Sequence, residues 1–207
     1  MAKVTNVGVH IVESSAAISD TGGEGQIWVK SDTPSSLYHT DDAGTDHRIN
    51  GIHLMSESTT TGGTTLDFTG IPPGVKQIAL MLVQVSTSGS SDFIVQLGDS
   101  GGFETSGYKG GILHAAGNEN YSEEGFDVTK LSEASNSITG MFILSLEDST
   151  NNTWTEMHVV NINPGESQTA HGCGSKTLTG ELTQIRLTAV NGSDTIDANA
   201  GINISYQ

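Results

Sequence analysis

Hydrophobic and polar residues alternate along most of this chain with a period of two, and helical periodicity is nearly absent. The strongest segment covers residues 75–85, V-K-Q-I-A-L-M-L-V-Q-V, whose near-continuous apolar middle predicts a strand buried on both faces. A strand over 93–97 follows after the turn-forming loop 86–92, so the two read as a hairpin. Further strands fit residues 137–146, 154–162, 184–190 and 201–206, separated by turn clusters at 147–152, Asn163-Pro164-Gly165 and 191–194. One short helix fits 127–135. Many short strands divided by such turns predict an all-β fold whose main part is an antiparallel β-sandwich or jelly-roll-like domain.

The first fifty residues follow a different pattern. Q-I-W-V-K at 26–30, L-Y-H-T at 37–40 and H-R-I at 47–49, with polar loops between them, make a meander of two tight hairpins. Strands this short bury little apolar area and need a partner, which makes Trp28, Leu37 and Tyr38, expected to be exposed, the candidate interface residues. The stretch 59–64, T-T-T-G-G-T, has linker composition, and the boundary is expected near residues 56–63. An N-terminal hairpin segment over 1–60 and a distal β domain over 61–207 result.

A length of 207 residues suits one large domain, or one domain with an appendage. Only 8 basic residues stand against 24 acidic ones, a net charge of -16, which argues against nucleic acid and anionic membranes as partners. Cys173 is the single cysteine, so neither an intramolecular disulfide nor a multi-cysteine zinc site can form. The opening M-A-K-V-T-N lacks the apolar core of a signal peptide, and the longest apolar run, 78–83, is far too short to span a bilayer. A soluble product made in a cytoplasm is expected.

Two strings invite a catalytic reading. G-D-S-G-G at 98–102 matches the surroundings of the nucleophile in chymotrypsin-like proteases, and T-A-H-G-C at 169–173 resembles the context of their histidine. In that group the histidine precedes the serine, whereas His171 follows Ser100. Asp, Ser and Gly are also what a turn after a strand at 93–97 requires, so a turn is the expectation. Asp41, Asp42 and Asp46 lack the spacing and terminal Glu of a calcium loop and fit a hairpin turn. Glu123 and Glu124, with Glu119 nearby, could flank a glycosidic bond, yet neighbours on a strand point to opposite faces, and a solvated loop fits them better. His39 and His47 should face each other across the second hairpin, without a third metal ligand in view. Neither a phosphate loop nor a dinucleotide fingerprint is present. The expectation is a non-enzyme without metal or cofactor, and core packing for Trp154.

One resemblance emerges from these residues. G-Q-I-W-V-K at 25–30, Thr33-Pro34, Leu37-Tyr38 and T-D-D-A-G-T-D at 40–46 resemble a short module near the N-terminus of tail fibres and related virion proteins of tailed bacteriophages. F-T-G-I-P-P-G-V-K at 68–76, Q-L-G-D-S-G-G at 96–102 and the ending G-I-N-I-S-Y at 201–206 are similar to the distal β domains of those proteins. The resemblance implies a homotrimeric virion protein, with the N-terminal hairpins docked to other virion proteins and the β domain facing outward toward a host-surface glycan. No repetitive shaft separates the two parts, so a stubby spike is implied, on tail or capsid. A capsid decoration or head-fibre protein and a free carbohydrate-binding module are the alternatives.

Overall fold

Every regular element among the described residues is a β-strand. The computed structural model describes the chain except for residues 1–10, 18, 20–23, 32–35, 50, 57, 60–61, 115–118, 130–132, 164–167 and 198–200, and gives only the backbone of 36, 58, 59, 119 and 120. The loop holding Thr33-Pro34, most of the turn at Asn163-Pro164-Gly165 and part of the expected linker lie outside the described residues. The chain divides into two units, 1–52 and 53–207.

In the first unit the strands are β1 (Glu13–Ser14), β2 (Gln26–Lys30), β3 (Ser36–Thr40) and β4 (Asp46–Arg48). β2, β3 and β4 form the expected antiparallel meander, and β1 adds a short parallel edge to β2.

The second unit begins with β5 (His53–Leu54), β6 (Ser58–Thr59), β7 (Thr65–Thr69), β8 (Gln77–Val85), β9 (Phe93–Asp99), β10 (Gly102–Phe103) and β11 (Lys109–His114). It continues with β12 (Glu119–Asn120), β13 (Phe126–Thr129), β14 (Ser137–Asp148), β15 (Thr153–Asn163), β16 (Gln168–Thr177), β17 (Gln184–Ala189) and β18 (Gly201–Tyr206). Two antiparallel sheets result. The larger runs β12-β11-β16-β15-β14-β8-β18-β5, with β6 also on β18, and the smaller runs β10-β9-β17-β7, with β13 also on β9. The fold is a β-sandwich. β5 and β6 fall within the stretch expected to end the first segment and link the two parts, and both pair with β18.

Inward side chains of both sheets fill one core, among them Leu80, Leu82, Phe142, Leu144, Val160 and Ile204 from the larger sheet and Phe93, Leu97, Ile185 and Leu187 from the smaller. The predicted strand limits at 93–97, 137–146, 154–162, 184–190 and 201–206 agree with the observed ones to within a few residues. Three expectations change. β8 alternates between buried and partly exposed residues and so covers the core with one face only. β8 and β9 are not a hairpin, since β8 pairs with β14 and β18 while β9 pairs with β17, β13 and β10. Residues 86–92 instead cross from sheet to sheet alongside 190–197, held by the Thr87–Ile196 bridge and by Ser91 N–H donating to Asp194 Oδ2 at 3.0 Å. Seven residues comfortably span the roughly 10 Å between packed sheets. Last, the expected helix at 127–135 is absent from its described part: Phe126–Thr129 is a fully buried strand and residues 134–135 form a turn.

β13 comes close to β11 and β16 of the opposite sheet because glycines line that part of it. A Cβ on Gly174 would lie 2.9 Å from Phe126 Cε1, and one on Gly110 would lie 2.5 Å from the Cys173 carbonyl oxygen. Phe126 meets Tyr108 edge-on at 4.9 Å between ring centroids. The buried Tyr108 hydroxyl accepts the Leu97 N–H at 2.7 Å and donates to the Glu104 carbonyl at 2.9 Å. Tyr108→Phe keeps the ring but leaves the Leu97 N–H unpaired in the core. A loss of roughly 1–3 kcal/mol is expected in chemical denaturation of the full chain.

Candidate functional site

The N-terminal unit explains its own motif. Trp28 Nε1–H donates to Thr40 Oγ1 at 2.9 Å, and that hydroxyl donates onward to Asp46 Oδ1 at 2.6 Å. The Trp28 ring stacks on Tyr38 with centroids 5.0 Å apart, and Lys30 Nζ sits 5.6 Å from the Tyr38 centroid. Trp28 is therefore only 7% exposed, contrary to expectation, because its indole N–H and one face find partners within its own sheet. Tyr38 is half-buried, while Leu37 is exposed as expected. On the opposite face from Trp28, Ile27 is 61% exposed across from His39 and on the same face as Leu37, a position that sequence reasoning missed.

The three aspartates behave as a turn. Asp41 Oδ1 accepts the Thr45 and Ala43 N–H groups at 2.8 and 3.0 Å, and Oδ2 lies 2.9 Å from His47 Nε2. The His47 contact and then the Thr45 N–H hold the Asp41 carboxyl below its ordinary range. His39 and His47 stand opposite each other, rings stacked at 6.2 Å. Among the described residues no group of three or more His, Cys, Asp or Glu side chains is arranged to hold a metal.

G-D-S-G-G is the tight hairpin between β9 and β10, with Ser100 and Gly101 at its tip. Asp99 Oδ1 accepts the Gly101 N–H and Oδ2 the Thr179 hydroxyl, both at 2.7 Å, and Gly102 has φ +122°, a conformation suited to glycine. The Thr179 and Gly101 bonds keep the Asp99 carboxyl below its ordinary range. Ser100 is exposed at the turn, whereas His171 belongs to β16 in the other sheet, opposite Leu113 and Val159.

T-A-H-G-C belongs to the glycine-lined part of the larger sheet. Gly172 faces inward beneath His158, whose ring a Cβ there would strike. His158 stacks on Phe142 at 4.9 Å, and its Nδ1 lies 3.1 Å from Glu156 Oε2. Both are buried, and His158 Nε2 has no hydrogen-bond partner among the described residues. Sequence reasoning missed this pair, although the signal was there: Trp154, Val160 and Ile162 share their parity on β15, so Glu156 and His158 must point inward with them. Asp127 is also buried, with Oδ2 unpartnered among the described residues; burial first and the Asp92 charge second raise its pKa to about 6 against the pull of His158.

Glu123 and Glu124 are exposed in a bend. Glu123 Oε1 accepts the Tyr121 hydroxyl at 3.1 Å, and backbone carbonyls of the bend anchor Tyr108 and Gln96. The side chain of Glu119 is outside the described atoms. Trp154 and Tyr108 are core residues; Tyr121 is exposed.

The inverse parity of β15 places Met157 and Val159 on the outer face of the larger sheet. There they line an open concavity of about 840 Å³ together with Leu113, Tyr121, His171 and Cys173. The lining is mostly apolar and, among the described side chains, holds no carboxylate, so this concavity suits packing against a surface better than acid–base chemistry. No protein-family model, curated protein or solved structure matches the chain.

Two outcomes follow from these sites. Thr40→Val should strand the Trp28 indole N–H and cost the N-terminal unit roughly 1–3 kcal/mol, read from the thermal transition of Trp28 fluorescence in a Trp154→Phe background. For Asp127, an unfolded chain loses its proton near pH 3.8 while the folded one holds it to about pH 6, so this group's effect on stability worsens as pH rises through that window. Asp127→Asn stays neutral. Its melting temperature relative to the parent should climb from pH 4 to pH 6 and level off above pH 7.

Proposed function

We propose that this chain is a structural protein of a tailed-bacteriophage virion, a short trimeric spike that attaches to the host surface. The observation that carries this reading is the G-Q-I-W-V-K…T-D-D-A-G-T-D string. Its resemblance to virion-protein N-terminal modules is matched by the way Trp28, Thr40, Asp41 and Asp46 act together to close the four-stranded unit. That unit leaves Ile27 and Leu37 exposed on one face, as a module that docks on another protein would. The distal sandwich supports a binding and assembly role through its mostly apolar outer concavity. Glu123 and Glu124, the carboxylates a glycan-degrading spike could use, sit in an exposed bend.

Light scattering of the full chain tests the assembly state. A mass three times 21.6 kDa is expected. A mass of 21.6 kDa at high concentration overturns the trimeric spike and favours a decoration protein that assembles only on a shell, or a free carbohydrate-binding module. Antibodies to the chain should label the surface of purified virions in electron micrographs, and intact particles that carry none of it would defeat the virion assignment.

A further inference from the structure

We infer that copies of this chain meet through the outer face of the larger sheet; the inference rests on the oligomeric reading above and names its interface. Six of the eight large apolar side chains exposed on the 53–207 unit, among the described residues, lie on this one face: Leu54, Val83, Leu113, Met141, Met157 and Val159. The register aligns them. One row crosses the sheet as Met81–Met141–Val159–His171–Leu113, and the next as Ala79–Ile143–Met157–Cys173–Gly111. The flanking rows, Gln77–Ser145–Thr155–Ser175 and Thr139–Asn161–Thr169, are polar and uncharged as far as β16, and Lys109 of β11 ends the first of them.

Charge decides the occupant. The chain carries 24 acidic residues and a net charge of -16, so two copies repel almost wherever they approach. In these four rows β8, β14, β15 and β16 present not one Asp or Glu outward; the acidic residue of β15, Glu156, points into the core. On these four strands a basic partner would find no carboxylate to pair with, the register placing Glu119 of β12 beyond Leu113 at the edge of the face, whereas a second polyanionic copy meets the least repulsion here. The face is also large enough. Six strands at about 4.8 Å spacing and four outward rows about 7 Å apart cover roughly 600 Å² in projection. That approaches the ~800 Å² per partner of a stable interface, and its apolar middle with a polar rim has the expected anatomy. The concavity beside Tyr121 gives a partner's side chain somewhere to seat.

Val159→Glu and Met157→Glu each put a carboxylate at the centre of the face, on side chains already 54% and 60% exposed, so folding should survive. Val190→Glu, at an exposed site in the turn after β17, is the control. Circular dichroism establishes that each variant is folded, and light scattering of the full chain gives its mass. The parent and Val190→Glu are expected to be oligomeric and the two face variants to run at 21.6 kDa. Cys173, the single thiol and itself on the face, provides a second readout: maleimide labelling should be at least tenfold faster in the folded face variants than in the parent. A parent dimer that falls apart in the same way supports the interface while refuting the trimer. If the folded face variants keep the parent's mass, or Cys173 labels equally fast in all, the inference is overturned and an oligomeric spike survives with another interface. A monomeric parent overturns both.

Discussion

The close approach of β13 to the larger sheet is the constraint on which the sandwich turns. Phe126 reaches the interior because no side chain rises from Gly174, and a single Cβ there would fall within 3 Å of its ring. Once seated, Phe126 braces Tyr108 edge-on, and Tyr108 holds the backbone of β9 through the Leu97 N–H. The cation of Lys176 lies 5.3 Å from the Tyr108 centroid and pairs with Glu104, so a buried lysine is neutralised in the same cluster. Gly172, one inward position along, makes the room that His158 occupies. Small residues in β11 and β16 thus let the two sheets touch on this side without a further layer of side chains.

That constraint also explains why the chain resembles a protease in two places. T-A-H-G-C is a strand whose inward positions, Ala170 and Gly172, must be small, and whose outward positions are His171 and Cys173. G-D-S-G-G is a strand end that reverses within two residues, with an aspartate to hold the turn and a glycine at φ +122°. Both strings satisfy backbone and packing demands that recur in unrelated folds, so their chemistry cannot be inferred from composition. The positions of Ser100 and His171, in a turn of one sheet and on a strand of the other, join their order along the chain in separating the readings.

Strand positions were legible because alternation is local: residues 137–146 and 154–162 announce β14 and β15 almost to their ends. Strand partners were not, because the period of two says which residues share a face and nothing about what that face meets. Residues 86–92 look like a hairpin loop in sequence, and their crossing is fixed by contacts with 194–197, over a hundred positions away. The helix expected at 127–135 fails for the same reason, since pairing with β9 and burial on both sides of β13 outweigh the helix-forming residues that follow it. Trp28 looked exposed because short strands seldom bury a tryptophan, yet the signal for its burial was present in Thr40 and Asp46, the two polar residues that complete its hydrogen-bond chain. The inner and outer faces of β15 could have been assigned from the parity of Trp154, Val160 and Ile162 alone.

The acidity of the chain acquires a structural meaning in this frame. Asp41, Asp99 and Asp148 each accept N–H groups within their own turns, and Asp194 accepts the Ser91 N–H across the crossing loops. The His47 contact at Asp41, the Thr179 hydroxyl at Asp99 and the Thr150 N–H at Asp148 lead in lowering the first three carboxyls below their ordinary range, with the remaining turn N–H groups adding to them. An all-β chain with many tight turns gathers such residues at the ends of its strands, and the outward middle of the larger sheet is spared. The absence of carboxylates there is consequently a property of the topology. Turns place the carboxylates around the edge of the sheet, and the centre is left to Met141, Met157 and Val159, whose contacts are non-directional and require only that water be excluded.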